Sequence, residues 1–315
     1  MSERIDERPT GGNGSRRVLI WVAAAVLALV LLGLLAAAII KGQQVSRASR
    51  SGATLQQALD KVASADVTIL DVDAALHAPI TQPNARVAAR LADRMPAARV
   101  QLQQADRLAK QAMPDLQGRR RQVATSAQRG IAARLDMLAA AKPLLTARIE
   151  AGDALGPARL AWLEIQRTET LTVEAGDRFN QHTKPGVTAA ARLSAQAASQ
   201  LASAALELDD ARRAMPAADF APFSTYVLDK AAVVRQAREI YQLWLAGNVA
   251  EANRRIPGFN VAEKKVVAEA ARLPGTPEGA IAKAYARVTE TPAVTYAAAR
   301  SRARQADSRV QQLSR

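Results

Sequence analysis

The sequence predicts an all-α chain: a single N-terminal transmembrane helix followed by antiparallel helical bundles, one or two in number. Three observations predict it. Residues 18–40 contain no charged or strongly polar side chain. Apolar residues make up 49% of the chain while aromatics are only 3%, and alanine fills much of the difference, which suits closely approaching helices better than thick sheet sandwiches. Beyond residue 54 apolar positions recur at alternating intervals of three and four, the pattern of helices packed along a seam.

Residues 1–17 form a short polar tail. Its "GGNGS" at 11–15 lacks the preceding strand and following helix that make a glycine loop a phosphate site, so it reads as a flexible tail. Residues 18–40 follow as the anchor: 23 residues at about 1.5 Å each give roughly 34 Å of helix, enough to cross a hydrocarbon core. A cleaved secretory signal is the competing reading, since Ala36–Ala38 are small, but a signal's apolar core usually runs only about 7–15 residues. No second apolar run of this length follows, so the chain is expected to cross once. Arg4, Arg8, Arg16 and Arg17 precede the helix and Lys41, Arg47 and Arg50 follow it, which leans toward a cytoplasmic N-terminus. The bulk of the chain is then expected outside a bacterial inner membrane. The absence of cysteine excludes disulfides, thiol catalysis and thiolate metal sites.

Residues 41–53 read as a polar linker. The first helix is expected to open at Thr54, where Thr54 and Gln57 have capping-box spacing, and its seam is Leu55, Ala58, Val62, Ala65, Ile69, Val72 and Leu76. Pro79 ends it. A second helix runs back from Asn84 to Met113 with Pro96 as a kink or break. A third covers about 119–141, and a fourth starts at Pro157, a favourable first-turn proline. "TETLTVE" at 168–174 alternates like a strand but has nothing to pair with, so it stays helical. These elements make a first bundle over 54–183.

A second bundle is expected over 187–290. A long alanine-rich helix runs from Val187 to Pro216, and the next carries Phe223, Tyr226, Lys230, Val233, Ala237, Ile240 and Trp244 at the same seam spacing. Further helices are expected to open at Asn260 with Glu263, at Thr276–Pro277 and at Thr291–Pro292, the last giving a basic C-terminal helix over 291–315. "AKQAMP" at 109–114 and "ARRAMP" at 211–216 fit a duplicated plan, although such matches come easily in an alanine-rich chain.

Three short segments, "EAGD" at 150–153, "EAGD" at 174–177 and "LAGN" at 245–248, read as hairpin turns between antiparallel helices. With one membrane anchor in front, this resembles the extracytoplasmic four-helix-bundle sensing domains of bacterial chemoreceptors and histidine kinases. The resemblance implies a ligand-sensing bundle. It departs from those receptors in having no second transmembrane helix and no output module, so any signal would pass through another protein.

Catalytic motifs are missing: there is no HExxH, CxxC, GxSxG or P-loop, and no enzyme, cofactor or metal centre is expected. His77 and His182 fall on different elements, and Asp71/Asp73 and Asp209/Asp210 read as solvated helix faces. Two features rise above this background. Phe220, Phe223, Tyr226, Tyr241 and Trp244 cluster within 25 positions and either line a ligand or partner face or fill a core, the latter favoured by their seam positions. Lys230 interrupts their seam; the usual outcome is to snorkel along its methylene stem, the alternative an acidic partner. The second feature is a net charge of +14, concentrated at Arg119, Arg120 and Arg121 and at Arg300, Arg302 and Arg304. It points to polyanions, with anionic lipid or an envelope polymer fitting better than nucleic acid because no aromatics are interleaved for base stacking. An arginine-rich solvated surface is the plainer reading of the same residues.

The expected function is therefore non-catalytic: a membrane-anchored scaffold or interaction module that presents helices to other envelope proteins or to itself. Ligand sensing through the 220–244 face and polyanion binding are the alternatives.

Overall fold

The structure is a computed structural model that describes residues 46–315. The expected tail, the 18–40 anchor and residues 41–45 lie outside the described residues. Seven α-helices and no strand occur among the described residues: α1 (Ser46–His77), α2 (Gln82–Ala112), α3 (Gly118–Phe179), α4 (Lys184–Ala214), α5 (Ala221–Leu245), α6 (Val249–Ala270) and α7 (Pro277–Ser314). A 3₁₀ turn, Met113–Asp115, joins α2 to α3. None of these helices is long and apolar enough to cross a membrane.

The helices exist because their small and apolar residues repeat every 3.5 positions. In α3 the stripe Val123, Ser126, Gly130, Ala133, Met137, Ala140, Leu144, Ala147, Ala151, Ala154, Ala158, Ala161, Ile165, Thr168 is buried throughout. It continues through half-buried Thr172 to buried Ala175 without a change of phase. The same rhythm appears in α4 at Val187, Ala190, Ser194, Ala197, Leu201, Ala204, Leu208 and Ala211. Alanine and glycine at these positions let helix backbones approach closely, each buried methyl contributing about 0.8 kcal/mol.

Several expected breaks are absent, and the reason is shared. Pro143 and Pro157 lie inside the 62-residue α3, which replaces the two helices expected at 119–141 and from Pro157. Pro96, Pro257 and Pro292 lie inside α2, α6 and α7, so Asn260 and Thr291–Pro292 do not open helices. A mid-helix proline costs about 3 kcal/mol. Pro96, Pro143 and Pro257 sit on exposed faces, where the carbonyl deprived of its partner is open to solvent, and the buried stripe opposite continues. Both "EAGD" segments are also inside α3, with Ala151 and Gly152 buried. Only "LAGN" is a turn: Gly247 has φ +83°, its N–H donates to Trp244 O at 3.0 Å, and the Asn248 N–H donates to Leu243 O at 2.9 Å, a Schellman closure. At the start of the chain described, α1 begins at Ser46, so residues 46–53 are helical rather than linker. Thr54 is an interior residue whose hydroxyl donates to Arg50 O at 2.9 Å. The expected opening at Thr276–Pro277 is present, with the Thr276 hydroxyl accepting from Gly279 N at 3.2 Å.

The chain divides into two compact units that are discontinuous in sequence, unlike a split into 54–183 and 187–290. Unit 1 gathers the described residues up to Leu70, Met95–Leu138 and Thr295–Arg315; unit 2 gathers Asp71–Arg94 and Ala139–Val294. Long helices make this so, because α1, α2, α3 and α7 each contribute residues to both. One core of unit 1 joins Leu55, Ala112, Leu116, Val123, Ala124 and Val310. Unit 2 has a large core built from α3, α4 and α5 around Leu201, Leu208, Phe220 and Phe223, and a smaller one around Val187, Ile240 and Tyr241.

Candidate functional site

The aromatic face predicted at 220–244 divides between two cores. Phe220, Phe223 and Tyr226 are buried in the larger core of unit 2, where the Phe223 ring meets Trp162 edge-on at 6.4 Å. Tyr241 is buried in the smaller core against Phe179 at 4.9 Å, with Trp244 half-buried beside it. The α5 seam is thus filled by the chain's own helices.

Lys230 does not snorkel. Its side chain is 6% exposed, and Nζ donates to Glu169 Oε2 of α3 at 2.9 Å. The Tyr226 hydroxyl, one turn earlier on α5, donates to Glu169 Oε1. One carboxylate therefore serves two α5 side chains, and the spacing of 226 and 230 places both on the seam facing α3. Burial first, then the bond to Glu169 and its charge, push the Tyr226 phenol well above the usual tyrosine range. Glu169 lies in the "TETLTVE" segment. Helical folding puts Thr168 on the buried stripe and Glu169 beside it, and a strand would have lost that registration.

Two further buried arginines hold helices in the same way. In unit 2, Arg148 of α3 is almost fully buried and donates to Leu76 O at 3.3 Å, to Pro79 O at 2.9 Å and to Ala78 O, capping the carbonyls where α1 ends. In unit 1, Arg134 of α3 donates to Asp66 of α1 through Nε at 2.6 Å and Nη2 at 2.9 Å, and to Asp307 of α7 through Nη1 and Nη2 at 3.0 Å each. Burial raises the Asp66 carboxyl above the usual range, outweighing the opposing pull of the Arg134 guanidinium. No protein-family model, curated protein or solved structure matches the chain. The site must therefore be read from its own chemistry. All three centres cross-tie helices, and in each a cation is held by carboxylates or carbonyls already in hydrogen-bond contact.

The predicted arginines separate. On α7, Arg302 pairs with Asp136 of α3 at 2.9 Å and lines a groove of unit 1 of about 370 Å³ with Arg129, Gln305 and Arg309. Arg300 and Arg304 fall on the other side of the same helix, since two residues along a helix is roughly 200° of turn. Arg119, Arg120 and Arg121 are exposed in the first turn of α3, where Arg119 donates to Gln312 O of α7 at 3.3 Å.

The remaining candidates have local roles. His77 Nδ1 lies 2.7 Å from Asp73 O in its own helix, and the His182 ring packs 6.0 Å from Phe179 at a residue with φ +50°. Asp209 and Asp210 pair with Arg212 and Arg213 one turn on, and Asp71 pairs with Arg94 at 3.0 Å. Among the described residues no group of three or more histidines and carboxylates converges as a metal site would need. The glutamate and the two arginines at the centres of the buried ties were missed by sequence reasoning. A signal for Arg134 exists: it follows Ala133 on the buried α3 stripe, flanking a seam whose neighbours are otherwise small.

Proposed function

We propose that this chain is a non-catalytic, membrane-anchored helical scaffold or interaction module of the bacterial cell envelope, carried outside the inner membrane by residues 18–40. The observation that carries the reading is the 3,4 stripe running from Val123 to Ala175 of α3. It is the packing rhythm of long helices held side by side, the way a helical scaffold is built. The buried charges support it further, because Arg134, Arg148 and Lys230 serve to position helices. Phe220, Phe223 and Tyr226 are packed into the core, which leaves half-buried Trp244 as the accessible aromatic for the sensing alternative.

Topology supplies the test. The chain has no cysteine, so Gln242→Cys, at an exposed position of α5, gives a unique label site. Reaction with a membrane-impermeant maleimide in intact spheroplasts, together with resistance of the protein to alkaline extraction from membranes, is the expected result. Labelling only after lysis, or release at alkaline pH, contradicts the placement.

A further inference from the structure

We infer that one end of unit 1 is a docking surface for the anionic phospholipid headgroups of the membrane in which the chain is anchored. Three segments distant in sequence meet at this end: the start of α1, the 3₁₀ turn with the start of α3, and the end of α7. Leu55, Leu116, Val123 and Val310 pack together beneath it. Ser51 Oγ donates to Asp115 at 3.0 Å, Arg119 reaches Gln312 O, and the Arg120 guanidinium lies against Gly52 of α1.

The charge at this end is lopsided. Residues 49–59, 109–124 and 308–315 together carry seven basic side chains, of which Lys110 pairs with Asp106, and one acidic one, Asp115, which accepts from the Ser51 hydroxyl. Arg119, Arg120 and Arg121 are exposed and have no acidic partner among the described residues. This contrasts with the paired arginines elsewhere, such as Arg94, Arg159, Arg212 and Arg255. Unpaired guanidiniums are the groups that match phosphate oxygens in a fork geometry.

The occupant follows from where the chain places this end. α1 starts at Ser46, and the apolar segment ends at Ile40, so the intervening residues reach at most about 20 Å. A span of that length keeps the basic end within reach of the bilayer surface. Attraction of clustered basic side chains to anionic headgroups acts over about a Debye length, roughly 10 Å at 0.1 M salt. The inference rests on the reading of residues 18–40 as a membrane anchor.

The full chain, carrying Gln117→Cys as its one label site, is reconstituted into nanodiscs of zwitterionic lipid or of zwitterionic lipid with phosphatidylglycerol, each with a headgroup-attached quencher. The expected result is stronger quenching at residue 117 in the anionic discs. The increment is lost at high salt and in the Arg119→Gln/Arg120→Gln/Arg121→Gln variant, with helicity by circular dichroism unchanged. Equal quenching in both disc types, with the chain incorporated, overturns the lipid assignment. So does an increment that persists unchanged in the Arg119→Gln/Arg120→Gln/Arg121→Gln variant. Failure of the chain to incorporate into discs overturns the anchor reading instead, and is scored separately by co-elution of chain and disc.

Discussion

Breaking the Glu169 tie and removing its cation are expected to have opposite consequences. Glu169→Ala leaves the Lys230 ammonium, 6% exposed, and the Tyr226 hydroxyl without their shared acceptor. Stranding one member of a buried pair costs about 3–5 kcal/mol. The Glu169 side chain is 45% exposed, so water reaches the vacated position, and the expected loss is reduced to about 2–3 kcal/mol. Lys230→Met removes the buried charge and keeps the length of the stem. Glu169 then stays hydrated on its open side and still accepts from Tyr226. The expected change lies between about zero and 1 kcal/mol of stabilisation. Unfolding of the full chain in detergent, followed by tryptophan fluorescence, reads this region, because Trp162 packs on Phe223 and Trp244 lies on α5. At about 2–4 °C per kcal/mol for a unit of this size, Glu169→Ala should lower the transition by roughly 4–12 °C while Lys230→Met leaves it or raises it. A Lys230→Met variant as unstable as Glu169→Ala, or an unaffected Glu169→Ala, would refute the reasoning.

Other outcomes follow from the same packing. A Cβ on Gly152 would lie 2.5 Å from Ala85 Cβ and 3.0 Å from Thr81 O, so Gly152→Ala should cost about 1–3 kcal/mol in urea titration. Gly156→Ala, on an open face of the same helix, should stabilise by about 0.5–1 kcal/mol. Arg134→Met strands Asp66 in the interior of unit 1 and should cost about 3–5 kcal/mol, with Asp66→Asn/Arg134→Met recovering much of it in a double-mutant cycle. Tyr226 and Tyr241 both titrate above the ordinary tyrosine value, with burial the main cause for each. The folded chain then keeps protons that the unfolded chain releases. This stability is fully present below about pH 10 and falls as pH rises further. Tyr226→Phe should flatten the alkaline fall, leaving the Tyr241 share, as measured by chemical denaturation across pH 9–11.

The helical class and the α1 and α5 seams were legible because a 3,4 rhythm has one structural meaning over twenty residues. Leu55, Ala58, Ala65, Ile69 and Val72 are all buried, as are Phe223, Tyr226, Val233, Ala237 and Ile240. Helix ends were less legible. Pro157 reads as a first-turn proline in isolation, yet Ala151, Ala154, Ala158 and Ala161 carry the stripe straight across it. The phase of the stripe was therefore the better guide than the proline. "EAGD" misled in the same way, because glycine inside a small-residue seam permits close approach as readily as it ends a helix. Gly152 shows this against Ala85, whereas Gly247 shows the turn. The partners of Lys230 and Arg134 were not legible, since Glu169 and Asp66 lie 61 and 68 residues away and their register depends on how α3 is placed. The three α7 arginines illustrate the remaining gap: adjacent in sequence, they fall on different sides of one helix.

The scaffold reading is tested most directly by a photo-crosslinking residue at Val261, which is 71% exposed on α6, a helix that buries only Ala252 and Val266. Irradiation of the full-length protein in intact membranes should yield a discrete adduct of fixed mass, with an envelope protein or with a second copy, which disappears on Lys264→Glu, a charge reversal at an exposed residue one turn from the label. A uniformly monomeric, adduct-free protein from that position and from exposed Leu206 and Leu228 would contradict a role in presenting helices to partners.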